Sequence, residues 1–158
     1  MTVIQNSKEY KEHDLKRGVD FIGVTVAFFC HDGRGNLLYH WRSEKCRDEQ
    51  DRWDVGAGSM EFGETFEDAV RREIKEEYGV KPLKLDLARA NNVLRMYNGK
   101  QTHWICIIFV ALVDPKKVII GDPKKMTKIK WFPIDQLPEP RHSMIDEHLQ
   151  IVRESGTL

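Results

Sequence analysis

Between Gly58 and Gly79 the chain passes through a segment that largely dictates its own shape, GSMEFGETFEDAVRREIKEEYG. Its body, FEDAVRREIKEEY, has no glycine or proline to break a helix. Thr65 stands where an N-cap is needed, Glu67 and Asp68 fall in the first turn, and Gly79 can end the last turn in a left-handed conformation. The spacing therefore predicts a helix over 66–78, entered from a glycine-bearing loop. Phe66, Val70 and Ile74 recur every fourth residue and should form the stripe that anchors it. Glu73, Glu76 and Glu77 fall together on another arc, about 100° wide.

The rest of the chain supplies the surface on which such a helix can pack. IGVTVAFFCHD (22–32) is β-branched and aromatic, DGRG offers turn chemistry, and NLLYHWR completes an expected hairpin. SEKCRDEQDR (43–52) is polar and reads as an exposed loop, and WDVGAGSMEFGE as a short extended stretch broken by glycines. Two long apolar runs flank Asn98-Gly99, the strongest hairpin signal in the sequence. KIKWFPI (128–134) reads as a further strand, and a last helix is expected over about 143–154. The lead-in over 1–19 is charged and expected to be partly helical. Many strands with two or three helices imply an α/β layered fold in one domain over residues 1–158.

Composition excludes several functions. Twenty-five Lys+Arg balance twenty-five Asp+Glu, so the basic excess of a DNA-duplex binder is missing. No basic patch with interleaved aromatics speaks for RNA. Any attraction for an anionic substrate should then come from the local site. Cys30, Cys46 and Cys106 lack CxxC spacing and read as free thiols in a reducing compartment. The first twenty residues are too polar for a signal-peptide core, and the longest apolar run, WICIIFVALV, is half the length a membrane-spanning helix needs. A cytoplasmic protein with no membrane partner is expected. The histidines show no zinc-binding spacing on a helix.

Three glutamates on one arc repel by a few tenths of a kcal/mol per pair. A charge run on a helix ordinarily faces solvent, and nothing else is needed to explain it. Three acids behind a glycine loop fit a different role as well. Carboxylate oxygens suit Mg²⁺ or Mn²⁺, which commonly bind through a few carboxylates plus substrate phosphates. Gly58 lets backbone approach the ion or the phosphates, and Arg72 can clamp Glu64 in a bidentate pair.

The order Gly58, five residues, Glu64, seven residues, Arg72-Glu73-Ile74, one residue, Glu76-Glu77, one residue, Gly79-Val80 matches the Nudix box at every defined position. Seven positions demand one residue type, so chance agreement is on the order of one in 10^8 per starting site. The chain thus resembles the Nudix hydrolases, and the box over 58–80 turns the solvated-face explanation of the acids into the weaker one. The resemblance implies an α/β/α sandwich around a mixed β-sheet. It implies hydrolysis of nucleoside diphosphate derivatives by water attack on phosphorus, with Mg²⁺ or Mn²⁺ bound. By position, Glu73, Glu76 and Glu77 would be catalytic metal ligands, with Glu73 as the base. The carbonyl of Ala57 would add a ligand, and Gly58, Glu64 and Arg72 would support the site. A homodimer would be in keeping with the family.

The substrate is less sharply marked. Gly56-Ala57-Gly58 stands where nucleotide-cleaning members carry Pro-Gly-Gly and the ADP-ribose branch Pro-Ala-Gly. Tyr97 stands where diadenosine polyphosphate hydrolases favour tyrosine. The tail, from Asp122-Pro123-Lys124-Lys125 through Trp131-Phe132 to Leu137-Pro138-Glu139-Pro140, is similar to nucleoside triphosphate pyrophosphatases, with Asp122 the nearest acid to a further metal ligand. Lys124 and Lys125 could meet phosphates. Trp41, Trp53, Trp104 and Trp131 could stack a base, and Trp53, just before the glycine loop, is the favoured one. The expected activity is pyrophosphate-bond hydrolysis in a nucleoside triphosphate or another nucleoside diphosphate derivative, with diadenosine polyphosphates, ADP-ribose and nucleotide sugars as alternatives. Two other classes compete: a non-catalytic nucleotide-binding module, which would tend to lose box glutamates, and an isopentenyl diphosphate isomerase, which would need a cysteine context absent here.

Overall fold

The computed structural model describes residues 15–158. Residues 1–14 of the lead-in, expected to be partly helical, lie outside them; residues 16–21 form a turn in which the Asp20 amide donates to the Lys16 carbonyl. The elements run β1 (Gly23–His31), β2 (Asn36–Arg42), β3 (Trp53–Asp54), β4 (Gly56–Ser59), α1 (Phe66–Tyr78), β5 (Lys84–Tyr97), β6 (Lys100–Leu112), β7 (Met126–Pro133) and α2 (Ile145–Ser155).

All seven strands join one mixed sheet, in which β1 lies parallel to β6 from Gly23 opposite Trp104 to His31 opposite Leu112. The Asn98-Gly99 hairpin forms as its residues demand: Asn98 (φ 49°) and Gly99 (φ 73°) both take the positive φ that a type I′ turn needs, and Tyr97 pairs with Lys100. The first hairpin differs from expectation. β1 and β2 pair only at His31–Leu37, next to the turn, and then fork. Residues 53–59 fill the fork, with β3 on β2 at His40 and Trp41, and β4 on β1 from Thr25–Ser59 to Phe28–Gly56. Gly56 permits this insertion, because a Cβ there would stand 1.9 Å from the Phe28 ring. The fork carries the glycine loop to the middle of the sheet and aims it at α1.

Both faces of the sheet are covered, so β1 and β6 read as unbroken apolar runs. Val26, Phe28, Ile107 and Phe109 pack with Ala69, Val70, Ile74 and Tyr78 of α1. Ala27, Phe29, Ile108 and Val110 pack with Ile145, Leu149 and Val152 of α2. The result is the α/β/α layering expected. The stripe on α1 begins at Ala69 and Val70. Phe66 is 41% exposed, because the first residue of the helix overhangs the sheet. Cys30 and Cys106 are buried and all three cysteines are free. Among the described residues no helix is long and apolar enough to cross a membrane.

His40 lies fully buried behind the fork, its Nδ1 sharing a 2.8 Å hydrogen bond with the Tyr78 hydroxyl. Burial pushes its pKa down to about 4. The unfolded chain takes up a proton at His40 below about pH 6.5, and the native state does so only near 4. The stability gained by keeping it neutral is complete above pH 6.5 and is lost as the pH falls toward 4, by about 3 kcal/mol. Urea melts at pH 7 and 4.5 should therefore show a loss about 2 kcal/mol larger in wild type than in His40→Asn. Equal losses would show that His40 titrates as it does in the unfolded chain.

Candidate active site

α1 is capped as its sequence requires. The Thr65 hydroxyl accepts the Asp68 amide at 3.1 Å, and Gly79 (φ 67°) donates its amide to the Lys75 carbonyl. This fixes the rotation of the helix. Glu73 and Glu77 turn inward, 8% and 1% exposed, while the Glu76 carboxylate stays half in solvent. Gly58 of β4 faces Glu73 so closely that a Cβ would lie 1.9 Å from its carboxyl carbon. The loop glycine thus makes room for an acid.

One guanidinium organises the outer half of the site. Arg72 grips Glu64 fork to fork, Nε to Oε1 at 2.6 Å and Nη2 to Oε2 at 3.0 Å. Nη1 donates to Glu73 Oε1 at 2.8 Å and to Glu76 Oε2 at 3.3 Å, and Nη2 also reaches the Ser59 carbonyl at 3.1 Å. Hydrogen bonding from Arg72 holds the Glu64 carboxyl down to about 2. The loop before the helix and two of the three box acids are therefore tied to one cation.

A second cation holds the inner half. The Lys125 ammonium donates both to Glu77 Oε1 and to the Ala57 carbonyl. Burial pushes the Glu77 carboxyl up, and Lys125 pulls it part of the way back. Glu77 Oε2 is buried with no hydrogen-bond partner. The loop bearing Lys125 is fastened to the end of α1: the Gly121 amide donates to the Glu77 carbonyl at 2.8 Å and the Ile119 amide to the Tyr78 carbonyl at 3.1 Å. Asp122 Oδ1 accepts the amides of Lys124 and Lys125 at 3.0 and 3.2 Å and so shapes the turn. Arg72 and Lys125 between them draw the acids apart, and among the described residues no three His, Cys, Asp or Glu side chains converge on a common point.

Above this floor opens a cavity of about 1040 Å³, lined at its base by Ala57, Gly58, Ser59, Asp122 and Lys125. Its walls carry Lys16, Arg17, Lys45, Arg47, Lys100 and Lys124, against the acids Asp48, Asp54 and Asp122. Cations outnumber acids in this lining although the chain as a whole carries no net charge, so the local site can attract an anion. The segment 43–52 contributes to this wall rather than standing free. Arg42 gathers it through Asp48 Oδ1 (2.9 Å) and the carbonyls of Asp48 and Glu49. Tyr97 and Trp104 also line the cavity, with the Arg47 guanidinium 5.8 and 5.7 Å from their ring centres, and the Tyr97 hydroxyl donates to the Arg47 carbonyl at 2.7 Å. The choice of Trp53 as the base-stacking residue is corrected. It packs edge-on against Trp41 and Phe132, 5.3 and 5.1 Å between centres, and is not among the lining residues. Its pairing opposite Trp41 turns the ring into the α2-side core. Lys125 as partner of Glu77, Arg47 beneath the aromatics, and His148, whose Nε2 is buried without a partner beside the cavity, were not singled out by sequence reasoning; each is placed there by long-range packing that leaves no local signature.

The profile of the NUDIX domain matches residues 22–154. A curated relative, the NAD-capped RNA hydrolase NudC of Salmonella paratyphi B, is 34% identical over 84 residues, which is 53% of this chain and 30% of that protein. The match thus spans under a third of the relative's length. The MutT NUDIX hydrolase of Burkholderia pseudomallei superposes with a TM-score of 0.72 at 25% identity, covering 82% of this chain and 97% of its own. The NUDIX domain of Shewanella oneidensis NrtR, solved with ADP ribose, superposes with a TM-score of 0.69 at 18% identity, covering 92% and 93%, a likeness of fold alone.

Proposed function

Because this chain belongs to the NUDIX family, as the match over residues 22–154 establishes, we propose that it is a divalent-metal-dependent hydrolase of a pyrophosphate bond in a nucleotide derivative, acting as one domain. The observation that carries this reading is the cation already seated at its centre, the Lys125 ammonium on the Ala57 carbonyl and Glu77. Those atoms accept a cation, and the unpartnered Glu77 Oε2 beside them has acceptor capacity to spare. Ala57, Glu73, Glu76 and Glu77 would hold Mg²⁺ or Mn²⁺, all through oxygen, which suits these ions. The bound ion supplies charge neutralisation and activation of water.

This chain's own residues do the positioning. Arg72 ties Glu64, Glu73 and the Ser59 carbonyl into one unit, so the loop and the helix cannot drift apart. Glu73, beside the Gly58 backbone, would take a proton from the attacking water. The phosphorus–oxygen bond to the leaving phosphate then breaks, and the lysines and arginines of the cavity wall receive the anionic groups. Positioning and electrostatics of this kind account for most of phosphoryl-transfer catalysis.

The cavity favours a nucleoside diphosphate joined to a second group over a simple triphosphate. Its volume of about 1040 Å³ lies at the upper end for small-molecule sites. Tyr97 and Trp104 offer aromatic surface on the wall beside its cations. The similarity to an NAD-capped RNA hydrolase supports the same chemistry. The test is product identification by anion-exchange chromatography after incubation with Mg²⁺ or Mn²⁺ and a panel of canonical and oxidised triphosphates, ADP-ribose, NAD, nucleotide sugars and diadenosine polyphosphates. A nucleoside monophosphate plus a phosphorylated second group is expected. Pyrophosphate plus monophosphate from a triphosphate would shift the assignment to a triphosphate pyrophosphatase. Binding without turnover of any compound would make this a nucleotide-binding module.

A further inference from the structure

We propose that Lys125 is a built-in competitor for the divalent cation, holding its position in the metal-free protein and turning into the cavity to meet substrate phosphate once the ion binds. This rests on the metal reading above. Nζ of Lys125 donates to the Ala57 carbonyl and the Glu77 carboxylate, which are two of the donors that reading gives to the ion. An ammonium and a divalent cation cannot both occupy that space, so binding of one expels the other.

The arrangement is built rather than incidental. The loop of Lys125 is fixed at four points: Gly121 and Ile119 on the last carbonyls of α1, the Asp122 side chain within its own turn, and the Ser43 amide on the Lys125 carbonyl at 2.9 Å. A Cβ at Gly121 would stand 2.1 Å from the Glu76 carbonyl, so the loop lies hard against the helix. The side chain of Glu77 is only 2% exposed and already carries one unpartnered oxygen. Without a cation both oxygens would be buried and unpaired, a costly state for a carboxylate. Lys125 removes part of that cost, at Oε1, while the ion is absent.

Lys125 also has somewhere to go. It lines the base of the cavity, next to Lys124, and its side chain is 27% exposed. Freed from Glu77, a flexible four-carbon stem can carry the ammonium to an anion above the Ala57–Ser59 floor. Metal binding and phosphate binding are thereby coupled through one residue, each favouring the other.

The test is Mn²⁺ binding without substrate, followed by electron paramagnetic resonance of the free ion, in wild type, Lys125→Met and Lys125→Gln. Both variants are expected to bind Mn²⁺ at least tenfold more tightly than wild type. If Lys125→Met fails to fold without metal, recovery of its fold on adding Mn²⁺ supports the same conclusion. A direct readout on wild type is the ¹H–¹⁵N spectrum of the lysine ammonium groups: one slowly exchanging signal, missing in Lys125→Gln, should vanish on adding Mg²⁺. Equal or weaker Mn²⁺ binding in the variants, with that ammonium signal unmoved by Mg²⁺, overturns the competitor role and leaves the metal site standing. No Mn²⁺ bound by any of the three proteins overturns the metal reading and this inference with it.

Discussion

Glu77→Gln is expected to lower turnover at least a thousandfold while the protein stays folded. The substitution keeps shape and an acceptor for Lys125, and it removes the negative charge from the most buried of the box acids. Loss of one anionic ligand worth about 4 kcal/mol in the transition state corresponds to that factor. The repulsion among Glu73, Glu76 and Glu77 alone predicts slight stabilisation, but the structure reverses the sign. Glu77 is the partner of a largely buried ammonium, and a neutral amide compensates that charge less well. The variant should unfold at modestly lower urea than wild type. Steady-state kinetics with saturating Mg²⁺, alongside a urea melt, checks both parts. Activity within a few-fold of wild type would remove Glu77 from the metal site.

Gly58→Ala also separates function from stability. The added methyl would collide with the Glu73 carboxyl group, 1.9 Å away, but that group is the end of a flexible side chain and can swing aside. The fold therefore survives, with a melting temperature within a few degrees of wild type. The carboxylate cannot stay where Arg72 holds it, and a misplacement of about 1 Å costs on the order of 10²-fold in rate. A hundredfold drop in kcat with a near-native melt is expected. An unchanged kcat would mean that the position of Glu73 does not matter to the chemistry.

The contrast between what could and could not be read in advance follows from the range of the interactions. The bounds of α1 were legible because its cap, its first-turn acids and its terminal glycine all act within four residues. The Asn98-Gly99 turn was legible for the same reason. Arg72 reaches Glu64 across a single loop, which spacing alone suggests. The fork between β1 and β2 was not legible, because nothing in 22–42 states that residues 53–59 will enter it. Trp53 and Trp104 both pack against the α2-side core, and only Trp104 also lines the cavity, a difference set by strand register. Lys125 meets Glu77 across 48 residues, by way of a loop whose course depends on the end of α1. The balance of charge was legible as a sum and not as a map, since the lining of one cleft carries more cations than acids in a chain of zero net charge.

The central claim is metal-dependent water attack on a pyrophosphate bond. It is tested most directly by ³¹P NMR of turnover in H₂¹⁸O, using the best substrate from the panel, with Mg²⁺ and again with excess EDTA. The account predicts loss of the pyrophosphate resonances, ¹⁸O in one phosphate group of the products, and no reaction in EDTA. Cleavage that continues in EDTA, or products without ¹⁸O on phosphorus, would contradict it.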